Sequence, residues 1–281
     1  MRNHLNGIDH VVVVVVGDLD QAVSDYEALG FNLTPRGHHS MGSANHCAMF
    51  GKDYLELLGL PPGFTGAPAF ARFLEAGGPG LAALALRTDD AQGAHAELLV
   101  AGMTPGEVRD FSRPVDLDGR QAEARFRTLD MPPAGTPGAH TFACQHYTPE
   151  VAWRPGYESH PNGVTGLDAL VLVSETPEQD LECYGALLDV PVAPYGLGWR
   201  IEMPGASLIA VEPGNVDWLA HGQGRAPRAL PHLAVIRFRV ADLARTAGVL
   251  AQAGVSFLTQ ADGNLQVSPD HAQGVTVVFV L

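Results

Sequence analysis

Glu56 lies inside Tyr54-Leu55-Glu56-Leu57-Leu58, an apolar stretch in which an unpaired carboxylate costs several kcal/mol to bury. It must meet a cation or lie on an edge face. Buried without a cation, it can give or take a proton. His10 precedes the aliphatic run Val11 to Val16, and a lone histidine on such a strand reads first as a hydrogen-bonded core residue. His38, His39 and His46 form the densest histidine region, in which Arg36-Gly37-His38-His39-Ser40-Met41-Gly42 reads as a turn-rich hairpin connection. Its functional reading puts His39 or Asn45 at the rim of a pocket, hydrogen-bonding a substrate. In Phe142-Ala143-Cys144-Gln145-His146, strand alternation lets only one of Gln145 and His146 face inward.

Other chemistries lose support. No GxGxxG follows a strand into a helix, and neither GxxxxGK[ST] nor GxSxG occurs. Cys47, Cys144 and Cys183 are too few and too widely spaced for a disulfide framework or a cysteine-based zinc cluster, and they read as packing residues. With 17 Lys and Arg against 31 Asp and Glu, the net charge of −14 disfavours nucleic acid and anionic membranes as partners. The longest aliphatic run is too short to span a bilayer and the amino terminus lacks a signal-peptide core, which leads to the expectation of a cytoplasmic protein.

The elements that must hold these residues recur four times. Each copy has an apolar strand, an acidic residue, an amphipathic helix and a stop. Copies begin at Gly7-Ile8-Asp9-His10, at Gly80-Leu81, at Gly166-Leu167-Asp168 and near Ile236. In three of them an acidic residue precedes a glycine by twelve positions: Asp18 and Gly30, Asp90 and Gly102, Asp242 and Gly254. That spacing predicts a helix of about three turns, with the acid at the positive end of its dipole and a left-handed glycine at its close. Short β-like stretches follow: 44–50 and 54–58, 122–129 and 141–147, 199–203 and 207–211, 265–267 and 275–280. The predicted unit is β-α-β-β-β and the predicted class α+β. The Pro/Gly-rich stretch 154–163 is expected to divide the chain into halves of two units each, 1–153 and 164–281.

Ile8-Asp9-His10-Val11-Val12, Asp18-Leu19, Leu29-Gly30-Phe31, Ala44-Asn45-His46 and Tyr54-Leu55-Glu56-Leu57 resemble the vicinal oxygen chelate superfamily, and more narrowly its glyoxalase-like-domain proteins. The resemblance implies paired modules whose sheets curl around a divalent metal, with ligands from the first and last strands of a unit. Carried over, it makes His10 and Glu56 ligands, with His146 as the third and Gln145 as the alternative. An imidazole and a carboxylate form a borderline-hard donor set suited to Fe, Mn, Ni, Co or Zn, and two histidines with one carboxylate match the non-haem iron pattern. Open coordination positions let a small substrate with adjacent oxygens chelate and be polarised, with Glu56 also exchanging a proton. Unit two has Ala83 and unit three Ala169 where a second histidine would stand, and unit four offers no clear equivalent. Glu212 is expected on the last strand of unit three without a histidine partner. One metal site, in the first half, is therefore expected, with the second half a scaffold, cap or dimerisation surface.

The resulting expectation is a metal-dependent enzyme, whether lyase, isomerase or dioxygenase, acting on a small oxygenated organic molecule. The alternative is a metal-free small-molecule binding or sequestering protein of the resistance type, motivated by the absent histidines. A homodimer is compatible with either, although four units in one chain can close both barrels internally.

Overall fold

The computed structural model describes residues 2–17, 19–40, 42–117, 120–220 and 228–281 and contains four β-α-β-β-β modules. The first comprises β1 (Ile8–Val16), α1 (Leu19–Ala28), β2 (Gly37–His38), β3 (Ala44–Met49) and β4 (Tyr54–Leu60). After α2 (Pro68–Gly77) come β5 (Gly80–Arg87), α3 (Ala91–Val100), β6 (Val108–Leu117), β7 (Arg120–Asp130) and β8 (His140–His146). A single turn, α4 (Pro149–Ala152), leads to β9 (Val164–Val173), α5 (Pro177–Leu188), β10 (Ala193–Tyr195), β11 (Gly198–Glu202) and β12 (Ser207–Val211). The last module has β13 (His232–Val240), α6 (Leu243–Gln252), β14 (Phe257–Thr259), β15 (Leu265–Val267) and β16 (Thr276–Val280).

The helices start and stop where their spacing requires. Asp90 caps α3 by accepting from Gly93 N at 2.9 Å, and Asp242 caps α6 by accepting from Ala244 N at 2.8 Å. Gly30, Gly102 and Gly254 all take left-handed conformations just beyond their helices, and Asp189 does so after α5. Asp18, expected at the start of the first helix, lies outside the described residues. Glu212 falls one residue beyond β12, because the proline at 213 starts a short 3-10 turn, so Glu212 is not on the last strand of unit three.

Two modules make each sheet. The strand orders are β2-β3-β4-β1-β5-β8-β7-β6 and β10-β11-β12-β9-β13-β16-β15-β14, with the first strands of paired modules antiparallel at the centre. In all four first strands the register skips one residue at the same place: Asp9 in β1, Ala82 in β5, Asp168 in β9 and Ala234 in β13. Such a bulge sends two consecutive side chains to one face. Ile8, Val11, Val13 and Val15 accordingly join the main core, while Val12 and Val14 pack on the opposite face with Leu58, Leu60 and Phe70 of α2. Asp9 and His10 both turn to that second face.

The main core is continuous across the molecule, running from Tyr26 and Phe31 through Leu167, Leu170 and Tyr184 to Phe238 and Phe279. The first sheet curls until its edge strands β2 and β6 meet. Gly37 permits that closure, since a Cβ there would lie 2.4 Å from Asn45 Oδ1 and 2.7 Å from Arg113 Nη1. Among the described residues no helix is long and apolar enough to cross a membrane.

Asp53 joins the two sheets, its Oδ1 accepting from Leu167 N at 3.1 Å. Burial pushes its pKa up to about 6, against that hydrogen bond and the charges of Arg87 and Arg239. A carboxyl raised in the folded state contributes stability that is fully present below its ordinary value of 3.8 and is lost as pH rises through about 6. Asp53→Asn keeps the acceptor and removes the charge. It is expected to flatten this pH dependence and, at pH 8, to be more stable than the parent by up to about 3 kcal/mol. Urea denaturation at pH 4 and pH 8 reads the difference.

Candidate functional site

The bulge in β1 places a carboxylate and an imidazole side by side in a buried setting. Asp9 is 1 % and His10 3 % exposed. Asp9 Oδ2 accepts from His10 Nδ1 at 2.8 Å and from His146 Nε2 at 3.0 Å, and its Oδ1 accepts from Arg87 Nε at 3.3 Å. Burial alone would push the Asp9 pKa up, but the hydrogen bonds and charges of His10 and His146 outweigh it and hold the carboxyl below the usual carboxylate range. Asp9 is therefore an anion encircled by three donors.

The bond to Asp9 fixes which nitrogen of His10 carries the proton and leaves Nε2 directed at Glu56, with Oε2 3.8 Å away. Tyr54 stacks on the His10 ring at 4.3 Å and Phe142 meets it edge-on at 5.5 Å, so the imidazole is held on both sides. Parallel pairing of β1 with β4 sets Val12 beside Glu56, and this register brings Glu56 onto the face of His10. The other oxygen of Glu56 accepts from Asn45 Nδ2 at 2.6 Å, and His39 Nε2 lies 3.8 Å from it. His39 is itself anchored, with Nδ1 2.7 Å from Ser43 Oγ, and burial lowers its pKa. The loop expected at the rim thus reaches the carboxylate directly.

Gln145 and His146 point to opposite faces, as alternation requires. Gln145 donates to Asp89 O at 2.6 Å and accepts from Ala91 N at 3.1 Å, so its amide serves the start of α3. His146 enters the site beside Phe126 and Trp153, and its Nδ1 is buried without a partner. The ligand atoms that all lie within 4.8 Å of one another belong to Asp9, Cys144 and His146, rather than to His10, Glu56 and His146. His146 and Glu56 are linked instead through Asp9 and His10. The Cys144 and Cys47 thiols are both pushed up by burial, Cys47 to about 12, which fits packing residues.

A divalent ion has two donor groups available here. Ligand atoms about 2.1 Å from one ion at a tetrahedral angle are about 3.4 Å apart, so the 3.8 Å between His10 Nε2 and Glu56 Oε2 suits a shared cation. The orphaned Nδ1 of His146, whose Nε2 is held by Asp9, is a further unsatisfied ring nitrogen in the Asp9 cluster. Within unit two, the positions matching His10 and Glu56 in strand register are Ala83 and Phe142, so that module adds no ligand from those places.

Sequence reasoning did not single out Asp9, because strict alternation would face it away from His10. Its signal was the repeat itself, since Gly166-Leu167-Asp168 restates Gly7-Ile8-Asp9.

Comparison with known proteins agrees with this architecture. A glyoxalase-like domain family model matches residues 8–188, and the chain belongs to that family. The chain is similar in fold to a hypothetical protein from Staphylococcus aureus (TM-score 0.70, 11 % identity, 97 % of this chain and 98 % of that one). It is also similar to a mutant 4-hydroxymandelate synthase from Streptomyces coelicolor (TM-score 0.59, 18 % identity, 98 % and 92 %). A third similar structure is a xylose isomerase-like TIM barrel/4-hydroxyphenylpyruvate dioxygenase fusion protein (TM-score 0.62, 16 % identity), where 98 % of this chain covers 48 % of the other. No curated protein matches the chain by sequence.

Asp9→Ala leaves a cluster of buried donors without their anion and is expected to destabilise the protein by about 3–5 kcal/mol. Gln145→Ala, which loses the two hydrogen bonds to Asp89 O and Ala91 N at the start of α3, is expected to cost about 1–2 kcal/mol. Chemical denaturation of the two variants measures the contrast.

Proposed function

We propose that this protein is a metal-dependent enzyme acting on a small oxygenated organic molecule, with His10 and Glu56 holding a divalent ion of the Fe, Mn, Ni, Co or Zn type. The observation that carries the reading is the His10 Nε2 and Glu56 Oε2 pair, 3.8 Å apart, with the far side of His10 fixed by Asp9. A ligating histidine whose other nitrogen is held by a carboxylate is a recurrent device for orienting the ring and raising its basicity. His146 donates through Nε2 to Asp9 and so helps hold the carboxylate that orients His10. The ion, when bound, polarises a chelating substrate oxygen as a Lewis acid.

The remaining chemistry belongs to the side chains. Glu56 takes a proton from the substrate, while Asn45 holds its Oε1 so that the carboxylate keeps one orientation. His39, whose lowered pKa keeps it neutral near pH 7, stands 3.8 Å from the same oxygen and can pass that proton on. Tyr54, Phe142, Phe126 and Trp153 wall the site and exclude water.

A second reading, a metal-free binder of small molecules, draws support from one feature. Asp9 is already satisfied by His10, His146 and Arg87, and unit two contributes no ligand at the matching positions. Elemental analysis of protein purified without chelator separates the two readings. About one divalent ion per chain is expected in the parent and a loss of at least tenfold in His10→Ala and Glu56→Ala. Added ion should also raise the melting temperature of the parent, since it binds the native state. Absence of any metal and of any such shift supports the second reading.

A further inference from the structure

The face of the second sheet that corresponds to the His10 and Glu56 face carries a cavity of about 320 Å³. Register equivalence identifies what changed there. Asp168 is the bulged counterpart of Asp9, and Ala169 and Ile209 stand in the places of His10 and Glu56. Arg237 occupies the place of Ala85, opposite the residue that replaces His10. Both metal-type donors are gone and a guanidinium has entered.

Two guanidiniums meet at Asp168. Its Oδ2 accepts from Arg237 Nε and its Oδ1 from Arg239 Nη2, each at 3.2 Å, so two guanidiniums share one carboxylate. The Arg237 side chain is 12 % exposed, so its guanidinium is largely withdrawn from bulk water. Asp262 also lines the cavity as a second carboxylate, its oxygens accepting from Asn264 N and Nδ2 at 3.1 and 2.7 Å. Across the cavity Arg200 pairs with Glu202 at 2.5 Å and lies 4.2 Å over the ring of Tyr195. The floor is apolar: Ala169, Ile209 and Val280.

We infer that this cavity is a second binding site, separate from the His10 centre, for a small organic carboxylate. The carboxylate meets the planar donors of Arg237, which suit its two oxygens. The organic body lies on Ala169, Ile209 and Val280, a wall that a bare phosphate has no means to use. The volume stands at the low end of the roughly 300–1,000 Å³ of ligand pockets, so the occupant is no larger than a substituted ring.

Calorimetric titration of the full chain with benzoate, and with benzamide as its uncharged counterpart, tests the site. Benzoate is expected to bind saturably with one site per chain, benzamide at least tenfold more weakly. Arg237→Gln and Ile209→Phe, the latter filling the floor and leaving every charge in place, should each weaken benzoate at least tenfold. His10→Ala should leave it unchanged. The inference fails if benzoate gives no saturable heat up to about 10 mM. It also fails if Ile209→Phe binds as the parent does, or if His10→Ala abolishes binding. Should Arg237→Gln not fold, Ile209→Phe decides alone.

Discussion

A buried aspartate that must stay ionised organises the first half of this molecule. Asp9 is enclosed by protein, and an isolated carboxylate in that position would take up a proton. Two imidazoles prevent this, Arg87 adds a third hydrogen bond, and each is fixed in turn by the bond it makes. The direction of His10 Nε2, and with it the relation to Glu56, follows from that arrangement. Nothing about Glu56 alone would aim it at a histidine; the β1–β4 register supplies the proximity and Asp9 supplies the orientation.

The second half solves the same problem with different residues. Asp168 occupies the same bulge, yet its compensating charge comes from Arg237 and Arg239 in place of imidazoles. Arg87 and Arg239 are equivalent in register and both hold the bulged aspartate. The first half surrounds its aspartate with two imidazoles and one guanidinium; the second uses two guanidiniums and no imidazole. The two cavities therefore differ in chemistry while sharing a backbone.

Much of the architecture was legible in the sequence, since apolar strands recur four times and the acid-to-glycine spacing three times, and each has a local physical cause. Helix α2 and strand β6 were not: Pro68–Gly77 has no acidic cap, and Val108–Leu117 carries charges and a proline that read as a connection. At the site, His10, Glu56, His39 and Asn45 were picked out by residue type and context, and the structure brings them within a few ångströms of one another. The role of Asp9 was hidden because a one-residue skip in register reverses alternation, and a single strand does not reveal its partner's register. Gln145 and His146 differ only by face, and the answer lay in a helix start that the strand sequence does not contain.

The shared interior bears on how the chain holds together. Strand order separates residues 8–146 from 164–280, but the aromatic and aliphatic side chains between the sheets form one body, crossed by Asp53 and by Arg228 reaching the carbonyls of Phe73, Gly77 and Pro79. Neither sheet can shed the other without exposing its own interior to solvent. The duplicated halves are thus a single cooperative unit, in which melting one entails melting both.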